Sequence, residues 1–427
     1  MKQYLTFLGR CFALSFVGDW KYYLWMFFLS VIALFGLNAY AHQFADGLIT
    51  TGMTDHVSWG FYIANFTYLV GMAAAAVMLV IPVYVYKNHS LHDLVIFGEL
   101  FAVSAIIMAL MFVTADLGRP DRFHHLLLRF NFPVSMLTWD VIVLNVYLLL
   151  NLHVCGYLIY CAYCKRKPSR MFYIPFVFIA IVWAISIHTV TAFLYSGLGG
   201  RPFWNSAVIA PRFLASAFAA GPAFLILTLM VISKATHYRV THGALMTLRN
   251  IVTVALTINM FLLGSEVFTE FYTDSAHVAS AKYLFFGLHG YHALVPWIWA
   301  AIALNTAALI ILYIPVSRKL PALSAACIML IIGVWIEKGM GLIVPAFVPT
   351  PLGEIVEYAP TLNEILVTLG IWAFGLLIYT ICVRITVPVL MGRLTIDTPL
   401  RDRHATITPV RGSSAPHTST TEEETAR

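Results

Sequence analysis

Ten stretches of this 427-residue chain are long and apolar enough to cross a lipid bilayer, and no other feature limits its fold as strongly. A helix needs about 20 consecutive apolar residues to span the hydrocarbon core. Such runs fall at roughly 22–41, 59–86, 94–115, 134–164, 172–195, 207–233, 250–272, 283–314, 321–345 and 364–390. They are continuous rather than alternating, which argues against the strands of a membrane barrel. Hydrophobic residues make up 60% of the chain and charged ones 11%, too few to coat a soluble domain of this length. The expected fold is an all-α integral membrane protein with ten transmembrane helices, arranged as two four-helix bundles plus two flanking helices.

The loops carry an orientation signal. Lys2, Arg10, Lys21, Lys87, Lys165, Arg166, Lys167, Arg170, Lys234, Arg239, Arg249, Arg318 and Lys319 lie before span 1 or after spans 2, 4, 6 and 8, and Arg384, Arg393, Arg401 and Arg403 join them. The opposite loops hold only Arg119, Arg122, Arg129, Arg201, Arg212, Lys282 and Lys338. Both termini are therefore expected in the cytoplasm, in a bacterial or archaeal inner membrane. The basic residues sit in short loops, which excludes nucleic acid as a partner. No cleavable signal peptide is expected, because the first apolar run is long enough to span and lacks a cleavage pattern. The expected division is 1–58 for the N-terminal segment and first span, 59–206 and 207–350 for the bundles, 351–394 for the last span, and 395–427 for a disordered cytoplasmic tail.

Against this apolar background, the polar stretch 114–140 between spans 3 and 4 stands out, with Asp116, Arg119, Asp121, Arg122, His124, His125, Arg129 and Asp140. Span 5 adds His188 two turns from its outer end. Span 7 ends with Glu266 and Glu270, four apart and so on one helix face, and span 9 ends with Glu337 and Lys338. Almost every intramembrane ionisable group thus falls in the outer half. Such groups cost several kcal/mol in hydrocarbon unless paired or wetted, so they default to a functional reading. Quinol oxidation needs an acceptor for each of two protons and donors that hold the ring oxygens. Asp116, Asp140 and His188 suit that work, with Arg119 tuning them and Trp139, Phe193 and Trp204 clasping the ring and tail. Glu266, Glu270, Glu337 and Lys338 are candidates for a proton path.

Simpler readings stand beside these. Asp116 and Arg119 suit an ion pair, Asp140 an interfacial cap, His188 an interhelical hydrogen bond, and Glu337 with Lys338 another ion pair. His124 and His125 suit interfacial loop positions. A bis-histidine haem would need two histidines at one depth; only His188 with His289 or His292 offers that. Cys161 and Cys164 form the one CxxC, without the second pair that a zinc or cluster site needs. The chain is therefore expected to hold no metal, haem or iron-sulfur cluster.

Five segments together resemble the NrfD/PsrC family of quinone-interacting membrane subunits: VSWGFYIANFTYLVG at 57–71, DLGRPDR at 116–122, TWD at 138–140, SIHTVTAFLYSGLGGRPFWNSAVIAPRFLASAFAAGPA at 186–223, and WIEKGMGLIVPAFVPTPLGEIVEY at 335–358. The likeness is greatest to its ten-helix branch, which includes DsrP of the DsrMKJOP complex, with HmcC and QrcD as relatives. The aspartate of the family's WD pair carries over to Asp140 and the span-5 histidine to His188. Where related alternative complex III subunits have a histidine, this chain has Asp116. The resemblance implies a menaquinone site near the periplasmic face and a docked periplasmic ferredoxin-like iron-sulfur subunit. It also implies a multihaem cytochrome c and further membrane and cytoplasmic subunits, within dissimilatory sulfur metabolism. Two rival classes stand against this expectation: a proton or ion transporter, which would show broken helices and charges near the bilayer centre, and a structural anchor without its own quinone site.

Overall fold

The computed structural model of the chain describes residues 2–87, 91–129, 131–272 and 278–398. In chain order its helices are α1 (Lys2–Ser15), α2 (Trp20–Asp46), α3 (Phe61–Ala73), α4 (Ala75–Val80), α5 (His92–Asp116), α6 (His125–Leu128), α7 (Met136–Tyr163), α8 (Arg170–Ser196), α9 (Ile209–Ala235), α10 (His242–Tyr272), α11 (Val278–Phe285), α12 (Val295–Tyr313), α13 (Leu320–Lys338), α14 (Met340–Ile343) and α15 (Leu362–Leu390). Ten units are long and apolar enough to span, with α3 and α4 forming one of them and α13 and α14 falling within another. Helix is the form such segments must take, because hydrocarbon offers nothing to an unpaired backbone N–H or C=O. The protein is a multi-pass, all-helical membrane protein.

Burial orders the spans. In α5, 83% of the apolar window is buried inside the protein, and in α3–α4 72%, against 17% for α2. The α3–α5 pair is thus the centre of the molecule and α2 lies at its edge. Helix α2 runs along α15, which also packs on α5; α7 pairs with α8, α9 with α10 and α12 with α13; α9 further touches α3, α8 and α13. The α2–α15 contact depends on two glycines. A Cβ on Gly36 would stand 2.5 Å from the Gly370 Cα, so only small residues allow this approach, as in other membrane helix pairs.

Four expectations shift. Helix α10 begins at His242 rather than near 250, because Arg249 finds partners at the end of α12: its guanidinium donates to Ser317 Oγ at 2.6 and 3.0 Å and to the Leu312 carbonyl. Span 8 begins at Val295 rather than near 283. The residues before it form the separate α11 and a turn in which Gly287, His289 and Gly290 all have positive φ, at 87, 50 and 89°, a conformation that ends a right-handed helix. An additional helix, α1, precedes span 1 and buries Phe7, Cys11 and Leu14, spaced i, i+4, i+7. Finally, residues 395–398 of the expected tail are packed. Arg10 of α1 donates to the Thr395 carbonyl at 2.9 Å, Ile396 N–H to the Tyr163 carbonyl at 2.9 Å, and Lys165 pairs with Asp397 at 3.0 Å. The rest of the tail, 399–427, lies outside the described residues.

Span 2 is interrupted between α3 and α4. The Ala74 N–H bonds the Gly71 carbonyl at 3.2 Å and the Val77 N–H bonds that of Ala74 at 3.1 Å, both three residues back. The Ala73 carbonyl instead accepts from the Tyr147 hydroxyl of α7, at 3.4 Å. A side chain from a neighbouring helix thus substitutes for the lost helical bond, as buried polar backbone requires.

Candidate functional site

Alternation of the spans brings one end of each to the same side. There the end of α5 (Asp116), the start of α7 (Trp139, Asp140), the end of α8 (His188, Thr191, Tyr195) and the start of α15 (Glu364) meet. Asp116 is the last residue of α5, and its Oδ1 is buried with no hydrogen-bond partner. Glu364 and Tyr62 lie within electrostatic reach of it. Around it the polar groups are satisfied: Tyr62 donates to Gln43 Oε1 at 2.6 Å, Gln43 Nε2 to the Ala115 carbonyl at 2.6 Å, and Tyr358 to Glu364 Oε1 at 2.5 Å. Glu364 also accepts from the Gly52 and Thr361 N–H groups, at 2.7 and 2.8 Å. The open acceptor of this cluster is Asp116.

Arg119 does not pair with Asp116. After Asp116 the chain turns to extended geometry at Leu117, and Pro120 opens a tight turn. Arg119 therefore faces outward, where Nε and Nη2 each lie 3.0 Å from an Asp121 oxygen. Those bonds hold the exposed Asp121 carboxyl below the usual carboxylate range.

Asp140 is fully buried and accepts from the Thr191 hydroxyl of α8 at 2.6 Å. His188 lies one turn before Thr191, completely buried. Its Nδ1 is 2.6 Å from the Ala184 carbonyl, and the ring also lies beside the Gly71 backbone. Tyr195, hydrogen-bonded to Thr67, stands within electrostatic reach of both Asp140 and Asp116. Trp204 joins this group. It is fully buried, 5.2 Å centroid to centroid from Tyr195 and 5.6 Å from Trp59, with its N–H on the Leu342 carbonyl at 2.8 Å. Phe193 is 46% exposed, and Trp139 bonds the Pro133 carbonyl at 2.9 Å beside Phe132; neither joins Trp204.

An apolar groove of about 760 Å³ runs between α2, α5 and α15. Leu37, Tyr40, Leu110, Met111, Ile371 and Phe374 line it, and Thr114 and Ala115 bring it to the last turn of α5, next to Asp116. On α2 and α15 the lining stripes lead one turn on from Tyr40 to Gln43 and one turn back from Val367 to Glu364. None of Asp116, Asp140 and His188 lines the groove; its lining on α5 ends at Ala115, the residue before Asp116. A second, smaller pocket of about 440 Å³ lies over the connection from α5 to α7, lined by Arg119, Arg122, His125 and Arg129. His124 and His125 are exposed there, as His289 and His292 are on their loop.

The remaining acids form a second cluster, and Lys338 lies between it and His188. Arg212, in the first turn of α9, pairs with Glu266 of α10 and with Glu337 of α13 at 3.0 Å. Asn305 Nδ2 donates to Glu337 Oε2 at 2.9 Å and Asn259 Nδ2 lies 3.3 Å from Oε1. Glu270 is buried one turn beyond Glu266. Lys338 does not pair with Glu337. It donates to the Phe213 carbonyl at 3.2 Å and lies 4.3 Å from the centroid of that ring, a cation–π contact. Among the described residues no group of three or more His, Cys, Asp or Glu is placed to hold a metal ion, and all six cysteines are free thiols.

Two residues escape a reading of the sequence. Arg212 counts there among the loop charges, although its position at the start of an apolar run allows an inward side chain. Glu99 is a lone acid inside the apolar run 94–115, in the half of the membrane away from the other acids; it is buried, with Oε2 unpartnered. The roles of Gln43, Tyr62 and Glu364 have no signal in spacing, since they come from three distant parts of the chain.

Residues 50–348 match the family model described as polysulphide reductase, NrfD. A Halobacterium salinarum protein named as a membrane subunit of dimethyl sulfoxide reductase is 23% identical over 397 residues, covering 83% of this chain and 88% of its own length. A subunit of the selenate reductase of Mesobacillus selenatarsenatis is 23% identical over 405 residues, 84% and 93% of the two chains. The Hdr-like menaquinol oxidoreductase integral membrane subunit of Archaeoglobus fulgidus is 22% identical over 211 residues, about half of each.

Proposed function

The chain belongs to the polysulphide reductase NrfD family, and from that premise we propose that it is the menaquinol-reacting membrane subunit of a respiratory oxidoreductase complex. The observation that carries this reading is the groove whose lining reaches Ala115, the residue before Asp116. An apolar groove beside a buried carboxylate with a vacant acceptor suits an amphiphile with a hydroxylated head and an isoprenoid tail. A bound quinol supplies two electrons and two protons. Asp116 takes the hydrogen bond of one ring hydroxyl and then its proton. Asp140 and His188 accept protons passed inward by way of Tyr195, and the wall of Trp59, Tyr195 and Trp204 excludes water from the acids. Arg119, Phe193 and Trp139 stand outside this work.

The name of the Archaeoglobus relative supports menaquinol as the substrate. Electrons leave to an iron-sulfur subunit seated over the loop from α5 to α7, where the basic pocket of Arg119, Arg122 and Arg129 suits an acidic partner surface. The loop charges support placing this face outside the cytoplasmic membrane, with both termini inside. The motif likeness to the DsrP branch supports a setting in dissimilatory sulfur metabolism.

Two measurements test the reading. Solvent extraction of the purified complex is expected to yield about one naphthoquinone per chain, as one such site requires. Replacing His188 by Ala is expected to abolish quinol-dependent reduction of the partner while the complex still assembles. Quinone-free protein, or unaltered turnover in the variant, would remove the site from the mechanism.

A further inference from the structure

We propose that α1 is a membrane-surface helix that binds an anionic phospholipid leaflet, with one apolar face among the acyl chains and basic residues at both its ends on the headgroups. The helix has three sectors. Phe7, Cys11 and Leu14 point into the protein. Lys2, Gln3, Thr6 and Arg10 form a polar sector. On the third side Leu5, Leu8, Phe12 and, just beyond the helix, Phe16 follow one another at i, i+3, i+7 and i+11, and they are 44–69% exposed. Each sector takes about a third of the circumference at 3.6 residues per turn. A helix with one face on protein and the rest in water would be polar over all of that rest. An exposed row of large apolar side chains marks a contact surface instead.

The neighbours of α1 fix where that row lies. Near its start, Tyr4 and Phe7 rest on Tyr160 in the last turn of α7, with ring centroids 5.4 and 5.3 Å apart. In its middle, Arg10 donates to the Thr395 carbonyl beyond α15 at 2.9 Å. At its end, Tyr22 in the first turn of α2 donates to the Ser15 carbonyl at 2.7 Å. Helix α1 thus passes across the ends of three spans instead of running beside one. Its 14 residues extend only about 21 Å, too short to cross the bilayer. This is the geometry of a helix lying in the interface plane, and it turns the apolar row toward lipid and the polar sector toward water. Charge then selects the lipid. Arg166, Lys167 and Arg170 follow the last turn of α7 and so stand at the Tyr4 end of α1, while Lys21 opens α2 at the other end. All four are exposed, and among the described residues none of them pairs with an acid. Basic side chains at this depth favour anionic headgroups over zwitterionic ones.

The test uses the complex containing this chain in lipid nanodiscs. Phe12→Cys in the apolar row and Thr6→Cys in the polar sector are labelled with bimane, and the wild type is labelled in parallel as the blank for the native cysteines. The Phe12 label is expected to be quenched by phospholipid brominated on its acyl chain and shielded from aqueous iodide, and the Thr6 label the reverse. A Phe12 label open to iodide overturns the proposal. So does one shielded from both quenchers, because a protein surface then covers the row. If Phe12→Cys does not assemble, Leu8→Cys decides in the same way. For the headgroup, the wild type is expected to melt a few degrees higher in phosphatidylglycerol discs than in phosphatidylcholine discs. Arg166→Gln, Lys167→Gln and Arg170→Gln combined are expected to remove most of that difference while the phosphatidylcholine value stays unchanged. Equal melting of the wild type in the two lipids overturns the anionic preference, as does an undiminished difference in the triple variant.

Discussion

The two halves of the membrane region treat buried charge in opposite ways. Around α9, α10 and α13, the carboxylates of Glu266 and Glu337 share one guanidinium, and two asparagine amides complete the Glu337 shell. Around α3, α5, α7 and α8, Asp116 and Glu99 each keep a buried polar atom with no partner. The first arrangement pairs the charges and ties three helices together, although the neutral Oδ1 atoms of Asn259 and Asn305 keep no partner. The second leaves ionisable groups uncompensated, which a membrane protein tolerates only where protons or a ligand complete the site. Both sets come from lone ionisable residues in apolar runs, so the contrast lies in their partners and not in their burial.

The largest expected effect separates the halves by activity. Asp116→Asn keeps the shape of the side chain and removes its basicity, so quinol oxidation should fall about 10²–10⁴-fold, while an unfolding titration should place the variant near the wild type, because no ion pair is lost. Next in size is a loss of stability in the other half. Arg212→Met leaves two carboxylates buried without their cation and should lower the free energy of unfolding by about 3–5 kcal/mol. Adding Glu266→Gln and Glu337→Gln to it should recover most of that loss. A silent Arg212→Met would erase the comparison.

A smaller effect sharpens the position of the substrate. Ala33→Phe fills the groove beside α2 and should raise KM for a long-tailed menaquinol about tenfold, as one lost apolar subsite does, while sparing a quinol with no tail. The smallest effect belongs to the exposed Arg119–Asp121 pair. The Asp121 carboxyl is held low by Arg119, so any stability from the pair is present above the ordinary aspartate pKa and is lost only as pH falls through the depressed value. Between pH 5 and 9, Asp121→Asn should therefore leave both the melting temperature and its pH dependence unchanged, as expected of a solvated pair.

What can be read from the sequence follows the range of the forces involved. The ten spans are legible because bilayer thickness acts on uninterrupted apolar length, which is local. The turn at Gly287–Gly290 is hidden, since its residues do not lower hydropathy enough to break the run at 283–314. Helix α1 is hidden for the opposite reason: its apolar stripe of Phe7, Cys11 and Leu14 is sparse and matters only against its neighbours. Alternation of the spans places Asp116, Asp140 and His188 at one end, but their surroundings depend on side-chain direction. Arg119 lies three residues from Asp116 and still turns away, whereas Glu364 comes from nearly 250 residues downstream to face it. Likewise Glu337 takes Arg212 of another helix and leaves its neighbour Lys338 to an aromatic ring. Partner choice among buried charges is a tertiary property, and sequence adjacency is a poor guide to it.

The central claim is that a quinol binds with its ring at Asp116 and its tail between α2, α5 and α15. An electron cryomicroscopy map of the assembled complex, prepared with menaquinone, tests it most directly. The account predicts ring density with one oxygen within hydrogen-bond distance of Asp116 Oδ1 and tail density along Leu110, Met111 and Ile371. Ring density in any other cavity, with lipid or nothing ordered along the groove in a complex that turns over, would contradict it.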